Sequence, residues 1–194
     1  MINLNENYWT ERYRNGYTGW DIGHASPPLM QYLDQIADRN LRVLIPGAGN
    51  GYEAVAGYRQ GFVDIHLLDI SRFPLERFAE QFSEFPENQI HHEDFFDHQG
   101  EYDLILEQTF FCALDPSLRV DYCKKMRELL KPQGKLVGVL FGIEFERSGP
   151  PFGGNMEDYR ELFEDYFGIK KLEPCYNSIP PRAGTEVFIH LINQ

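Results

Sequence analysis

The 194-residue chain is poor in cysteine: it has three, and none stands in a C-x-x-C pair. Cys112, Cys123 and Cys175 are scattered, so neither a disulfide framework nor a cysteine-based zinc site is expected, and a reducing cytoplasm fits. Basic residues are also scarce. Eighteen Lys and Arg face 30 Asp and Glu, for a net charge of −12. A surface of that sign repels nucleic-acid phosphates and anionic membranes, so neither is expected as a partner. No apolar run approaches the roughly 18 to 20 residues that cross a bilayer. The opening text MINLNENYWT lacks the basic and apolar regions of a secretory signal. Repeats, low-complexity tracts and domain-dividing linkers are missing too. One domain over residues 1–194 is therefore expected, in the cytoplasm, with no obligate protein partner.

What the chain does have is 42% aliphatic, aromatic and cysteine residues against 25% charged ones, a balance that builds a globular core. The first 25 residues are aromatic and turn-rich, with Tyr8, Trp9, Tyr13, Tyr17 and Trp20 among Asn and Gly. Periodicity then begins. Ser26-Pro27-Pro28 reads as an N-cap with proline in the first turn of a helix running to about Ile36. Leu41–Ile45 is a short apolar strand, 51–60 a helix, and Val63–Leu68 a second strand ending on Asp69. Residues 72–84 read as helix, 89–92 and Tyr102–Leu106 as strands, and Pro116–Leu130 as a helix with one apolar face. Lys131-Pro132-Gln133-Gly134 turns into a strand over Lys135–Phe141, and Met156–Phe167 is the last helix. Strands near Ile169–Cys175 and Glu186–Ile192 close the chain. The alternation, with apolar middle strands, predicts an α/β fold: a doubly wound, mainly parallel sheet with helices on both faces. The last two strands have no room for a crossover helix between them and should pair antiparallel.

In such a sheet, ligands bind beyond the carboxyl ends of the strands, where the winding reverses. The first strand runs into Gly47-Ala48-Gly49-Asn50-Gly51, whose three glycines permit a sharp turn and close backbone approach to a ligand. The dinucleotide fingerprint G-x-G-x-x-G would need glycine at Tyr52, so a smaller nucleoside-like ligand is favoured over a nicotinamide cofactor. Twenty-two residues past Gly47, Asp69 ends the second strand, where a carboxylate can accept from both ribose hydroxyls. Asp94 is placed to accept from an adenine amino group, with Phe95 against the ring. A metal site at His91, His92, Glu93 and Asp94 is not expected, because adjacent strand residues point to opposite faces. Cys112 has no base beside it in the sequence to make it a nucleophile.

These residues resemble the class I S-adenosylmethionine-dependent methyltransferases, and within them the thiopurine S-methyltransferase family and its halide/thiol methyltransferase branch. The matching text covers nearly the whole chain. It comprises Trp20-Asp21-Ile22-Gly23 with the prolines after it, the loop Leu44–Tyr52, Leu68-Asp69-Ile70-Ser71 and Glu93-Asp94-Phe95-Phe96. It continues through Phe110-Phe111-Cys112-Ala113-Leu114, Leu129–Gly134, Gly149-Pro150-Pro151-Phe152 and Ile179–Gly184. The resemblance implies a seven-stranded Rossmann-like sheet and an aromatic arm over about residues 1–25 that closes the cofactor site. It also implies methyl transfer from S-adenosylmethionine, leaving S-adenosylhomocysteine, to a small-molecule acceptor: a thiol, hydrosulfide or halide.

Cofactor-binding residues expected on this basis are Trp9, Tyr13, Trp20, Gly47, Gly49, Gly51, Asp69, Ile70, Asp94, Phe95, Glu107 and Gln108. The acceptor pocket is expected from Phe110, Phe111, Phe141, Phe152 and Tyr176, and no metal is called for. Asp21 and His24 are the candidate bases for an incoming thiol. Tyr13 stands where relatives carry tryptophan, and Gln108 and Phe141 where plant relatives carry tyrosine. The last two departures weigh against halide more than against methyl transfer. Two other readings stay open: a non-catalytic nucleoside-binding domain, and a nicotinamide-dependent oxidoreductase.

Overall fold

The computed structural model describes residues 3–194; residues 1 and 2 of the expected N-terminal arm lie outside the described residues. Seven strands form one sheet: β1 Arg42–Pro46, β2 Asp64–Asp69, β3 Ile90–His92, β4 Tyr102–Gln108, β5 Leu130–Phe141, β6 Gly168–Pro174 and β7 Glu186–Ile192. Their spatial order is β3-β2-β1-β4-β5-β7-β6. Strands β1 to β5 pair in parallel, while β7 runs antiparallel to both β5 and β6. The expected C-terminal hairpin is present, and it inserts its second strand between its first strand and the parallel sheet.

The middle strands are continuous apolar runs because both faces of the sheet are covered. Val43, Ile45, Ile65, Leu67, Leu104, Leu106 and Val137 face one layer. Helices α2 (Pro27–Asp34), α3 (Tyr52–Arg59) and α4 (Arg72–Gln81) meet them there through Leu29, Leu33, Ala54, Leu75 and Phe78. Leu44, Ile105, Leu136, Leu140, Ile189 and Leu191 face the other layer. Its helices are α5 (Arg119–Leu129) and α6 (Met156–Glu164), which contribute Tyr122, Cys123, Met126, Tyr159 and Phe163. The period-two alternation of a strand thus feeds two cores rather than a core and a solvent face.

Three local expectations are corrected. The aromatic N-terminal segment holds a helix, α1 (Glu6–Arg14). Asn5 caps it by accepting from the Tyr8 N–H at 3.1 Å, with Glu6 in the first turn and Arg12 and Arg14 in the last, the charge order the helix dipole favours. The helix expected from Pro116 opens instead with a 3₁₀ turn, Pro116–Leu118, held by the Asp115 side chain on the Ser117 N–H. Ser26 precedes α2 but does not cap it with its side chain; its own N–H donates to Glu53 Oε1 at 2.9 Å.

The chain leaves β1 toward β2 and β3 on one side and returns to β4 on the other, so the winding reverses between β1 and β4. That is where the loops after β1, β2 and β4 part and open a crevice.

Candidate active site

The crevice encloses about 1010 Å³, at the upper end of the range for small-molecule sites. Gly47, Leu68, Asp69, Ile70, Asp94 and Phe95 line one end, and Trp9, Tyr13 and Trp20 lie over it. Gly49 has φ +52°, and a Cβ there would fall 2.7 Å from Tyr13 Oη, so a side chain at this loop position would strain the backbone and crowd the phenol. Its N–H donates to Asp69 Oδ2 at 2.9 Å, and the Ser71 N–H donates to Oδ1 at 2.8 Å. Those two bonds fix the carboxylate and use two of its about four lone-pair directions. Burial pushes Asp69 up to about 6, against the pull of the two amides.

Helix α1 is tied down at several points. Thr10 Oγ1 and Ser71 Oγ share a hydrogen bond of 2.8 Å, and His92 Nε2 lies 3.0 Å from Glu6 Oε1. Trp20 stacks edge-on against both Trp9 and Tyr13, with ring centroids 5.5 and 5.4 Å apart. Burial and then the Asp69 carboxylate hold the Tyr13 phenol well above its ordinary range, so it stays a donor. Arg182 fastens the arm from the far end of the chain: its guanidinium donates to the Trp20 carbonyl at 2.7 Å and to Glu186 at 3.3 Å.

Beyond β4 the backbone turns through Thr109, a non-glycine residue at φ +59°. Strain of this kind costs about 1 to 3 kcal/mol and is held here by Glu107. Glu107 Oε1 accepts from the N–H groups of Phe110 and Phe111 at 2.8 and 2.9 Å, and Oε2 accepts from Tyr122 Oη at 2.9 Å. With all its contacts inward, burial lifts its carboxyl to about 7. The turn delivers Phe110 and Cys112 to the crevice, whose lining also includes Leu114, Phe141, Ile143 and Phe145 with Arg12, Arg147 and Arg182. Arg12 Nε is buried without a partner among the described residues. Cys112 donates its thiol to the Thr109 carbonyl at 3.2 Å, and burial pushes its ionisation far up, which suits a wall rather than a nucleophile.

Several expected residues stand elsewhere. Gly51 faces the core, where a Cβ would strike Phe78. Glu107 and Gln108 are outside the crevice lining, Glu107 because it grips the turn from within. Phe111 is fully buried between Tyr122, Tyr159 and Phe163. Phe152 lines a separate shallow recess, anchored by its N–H on the Cys112 carbonyl at 2.7 Å. Tyr176 is 79% exposed and donates to Gln31, away from the crevice. Neither candidate base lines the crevice. Asp21 is committed to Gly23, Asn50 and Tyr52, and the His24 ring lies 2.8 Å from the Ala25 carbonyl.

Sequence reasoning missed Thr109, Arg12, Arg147, Ile143 and Phe145. The lone signal among them was a β-branched residue directly after a strand. It also missed that His91 and Glu93, two apart and on one side, meet His98 from the next turn, while His92 points away toward Glu6. Burial pushes His91 down to about 4 and lowers His66 as well, so both imidazoles are neutral at ordinary pH.

A seven-stranded sheet of this order with its ligand crevice at the β1/β4 reversal defines the Rossmann-like methyltransferase fold. Solved structures of that fold superpose over most of the chain. One is Burkholderia thailandensis 1,6-didemethyltoxoflavin-N1-methyltransferase with bound S-adenosylhomocysteine. It has a TM-score of 0.77 and 19% identity, covering 97% of this chain and 87% of that one. Another is magnesium protoporphyrin IX methyltransferase from Synechocystis PCC 6803 with bound S-adenosylmethionine, with a TM-score of 0.73 and 14% identity, covering 100% and 99%. In sequence, the chain is 33% identical to probable thiol methyltransferase 2 of Arabidopsis thaliana, over 92% of this chain and 81% of that protein. It is 33% identical to thiocyanate methyltransferase 1 of Brassica oleracea, over 94% and 83%, and 25% identical to thiopurine S-methyltransferase of Vibrio campbellii, over 83% and 82%. Residues 4–188 match the profile described as thiopurine S-methyltransferase, and the chain belongs to that family.

Proposed function

We propose that the chain transfers the methyl group of S-adenosylmethionine to a small, soft, anionic nucleophile, with a sulfur anion preferred. The donor set fits the cofactor. Asp69 keeps one free lone-pair direction on each oxygen after binding Gly49 and Ser71, which suits a pair of ribose hydroxyls. Ile70, Asp94 and Phe95 offer an apolar slot with an acceptor at its edge, as adenine requires. Trp9, Tyr13 and Trp20, carried by the N-terminal arm, close over it and present aromatic faces that attract a desolvated cation by about 1 to 2 kcal/mol. When bound, the cofactor supplies a methyl group on a sulfonium sulfur, an electrophile open to in-line displacement.

One observation carries the acceptor assignment: among the described residues no histidine stands in the crevice lining, and every carboxylate that does already accepts a hydrogen bond. Asp69 is held by Gly49 and Ser71, Glu93 by His98, Asp94 by the Phe96 N–H and Asp115 by Ser117. A nucleophile that arrives already ionised needs no base. The aromatic lining strips its water, and Arg12 and Arg147 favour its charge, whereas Arg182 is already paired with Glu186. What remains is alignment, which can supply effective molarities of about 10⁵ M or more. The names of the relatives above, thiol, thiocyanate and thiopurine S-methyltransferases, all specify sulfur acceptors.

Radiolabelled methyl transfer to hydrosulfide, thiocyanate, an aromatic thiol and iodide tests the reading. Turnover is expected on at least one sulfur nucleophile, above that on iodide. Cofactor binding with no transfer to any of the four would favour a non-catalytic binding domain.

A further inference from the structure

Beside the crevice, on the β2/β3 edge of the sheet, three imidazoles and the Tyr102 phenol gather around two carboxylates, of which Glu93 also borders the crevice. His66 Nε2 lies 2.8 Å from Asp64 Oδ1, and His66 Nδ1 lies 2.8 Å from His91 Nε2, the two rings stacked at 5.1 Å. His98 Nδ1 lies 2.6 Å from Glu93 Oε1, and its Nε2 lies 2.7 Å from Tyr102 Oη. His98 is 2% exposed, whereas the Glu93 side chain is 40% exposed and opens the group to solvent.

The hydrogen bonds dictate the tautomers. Asp64 only accepts, so neutral His66 carries its proton on Nε2 and accepts at Nδ1. His91 must therefore donate from Nε2, which leaves the lone pair of its Nδ1 without a partner among the described residues. Glu93 likewise only accepts, so His98 donates from Nδ1 and accepts from Tyr102 at Nε2. One ligand atom from each of His91, Glu93 and His98 lies within 4.8 Å of the others. Tetrahedral bonds of about 2.0 to 2.1 Å set ligand atoms about 3.4 Å apart, within reach of small side-chain rotations here.

We propose that His91, Glu93 and His98 form a binding site for a divalent transition-metal ion of the zinc type, with solvent completing its coordination. The surroundings supply what such a site needs. Glu93 has no Lys or Arg partner among the described residues, so its charge is available to a cation. His91 is oriented through its second nitrogen by His66, which is in turn fixed by Asp64, the outer-shell chain that metal-bound histidines require. Arg42, 4.0 Å from Asp64, balances the outer carboxylate. His98 would present Nδ1 to the ion, with Nε2 held by the Tyr102 hydroxyl 2.7 Å away. Two imidazoles and one carboxylate select zinc, cobalt or nickel over magnesium and calcium. The ion would clamp the segment after β3, whose Glu93, Asp94 and Phe95 line the crevice, from the β2/β3 edge of the sheet.

The test is titration of the chelator-stripped full chain with Co²⁺, read by its visible d–d absorption, and with Zn²⁺ by calorimetry. One ion per chain is expected, with Mg²⁺ failing to compete. Affinity should fall at least about tenfold in Glu93→Gln and more in His91→Ala, and stay unchanged in His92→Gln. Glu93→Gln keeps the assay decisive if His91→Ala does not fold, because its side chain is partly exposed and the amide retains an acceptor. Absence of binding to the wild type, or a wild-type affinity in folded Glu93→Gln, would overturn the proposal.

Discussion

Asp69 answers to two demands at once. It must be an anion to accept from hydroxyl groups, yet burial raises it to about 6 and only the amides of Gly49 and Ser71 pull it back. Asp69→Asn is expected to weaken S-adenosylhomocysteine binding by about 1.5 to 3 kcal/mol in calorimetry. Asparagine keeps an acceptor for one of the two amide donors, whereas alanine would strand both. Wild-type affinity should itself decline as the pH falls below about 6, where the carboxyl takes up its proton. Glu107 makes a separate prediction about stability. Its pKa in the fold, about 7, exceeds the ordinary 4.5, so the folded chain keeps a proton that the unfolded chain has lost. The stability it contributes is full below about 4.5 and disappears as the pH rises through about 7. Glu107→Gln should therefore gain on the wild type between pH 5 and pH 8, by on the order of 3 kcal/mol in denaturant titrations. Parallel profiles would refute it. At this scale the sequence was only partly legible. Asp69 could be read from its place at a strand end, but Phe110 and Phe111 look alike on paper. Which of them walls the crevice and which enters the core is decided by how Glu107 grips their amides, a contact between residues that no periodicity encodes.

Among the elements, the glycine loop and the aromatic arm separate stability from binding. Gly51 has φ +68° and turns its missing side chain toward Phe78 and Leu67, so Gly51→Ala combines backbone strain with overpacking. A loss of about 2 to 5 kcal/mol in thermal or chemical unfolding is expected. Trp20 belongs to the other class. Its rings meet Trp9 and Tyr13 over the crevice, and S-adenosylmethionine carries a sulfonium charge that S-adenosylhomocysteine lacks. Trp20→Ala should cost about 1 to 2 kcal/mol more for the charged ligand than for the neutral one. Equal losses for both would make the arm a plain hydrophobic cover. The strands were readable because parallel strands buried on both faces are unbroken apolar text. Helix α1 was not, since Trp9 and Tyr13 face the crevice rather than forming an apolar stripe, and it buries no residue completely. Its cap, Asn5 with Glu6 and the trailing Arg12 and Arg14, was present in the text all the same.

For the whole molecule, one topological fact locates everything else: the winding reverses between β1 and β4, so three strand ends open onto one space. The alternation of strands and helices makes that reversal predictable. The furnishing of the acceptor end was less so, because Ile143, Phe145 and Arg147 come from the long loop after β5, and Arg12 and Arg182 from opposite ends of the chain. The central claim is that Asp69 and the glycine loop hold an adenosyl group in this crevice. A crystal structure with S-adenosylhomocysteine tests it most directly. It should place both ribose hydroxyls on Asp69 and the adenine between Ile70 and Phe95, with the sulfur beneath the Trp9–Trp20 pair. A ligand bound anywhere else, or a crevice that stays closed to it at saturating concentration, would contradict the account.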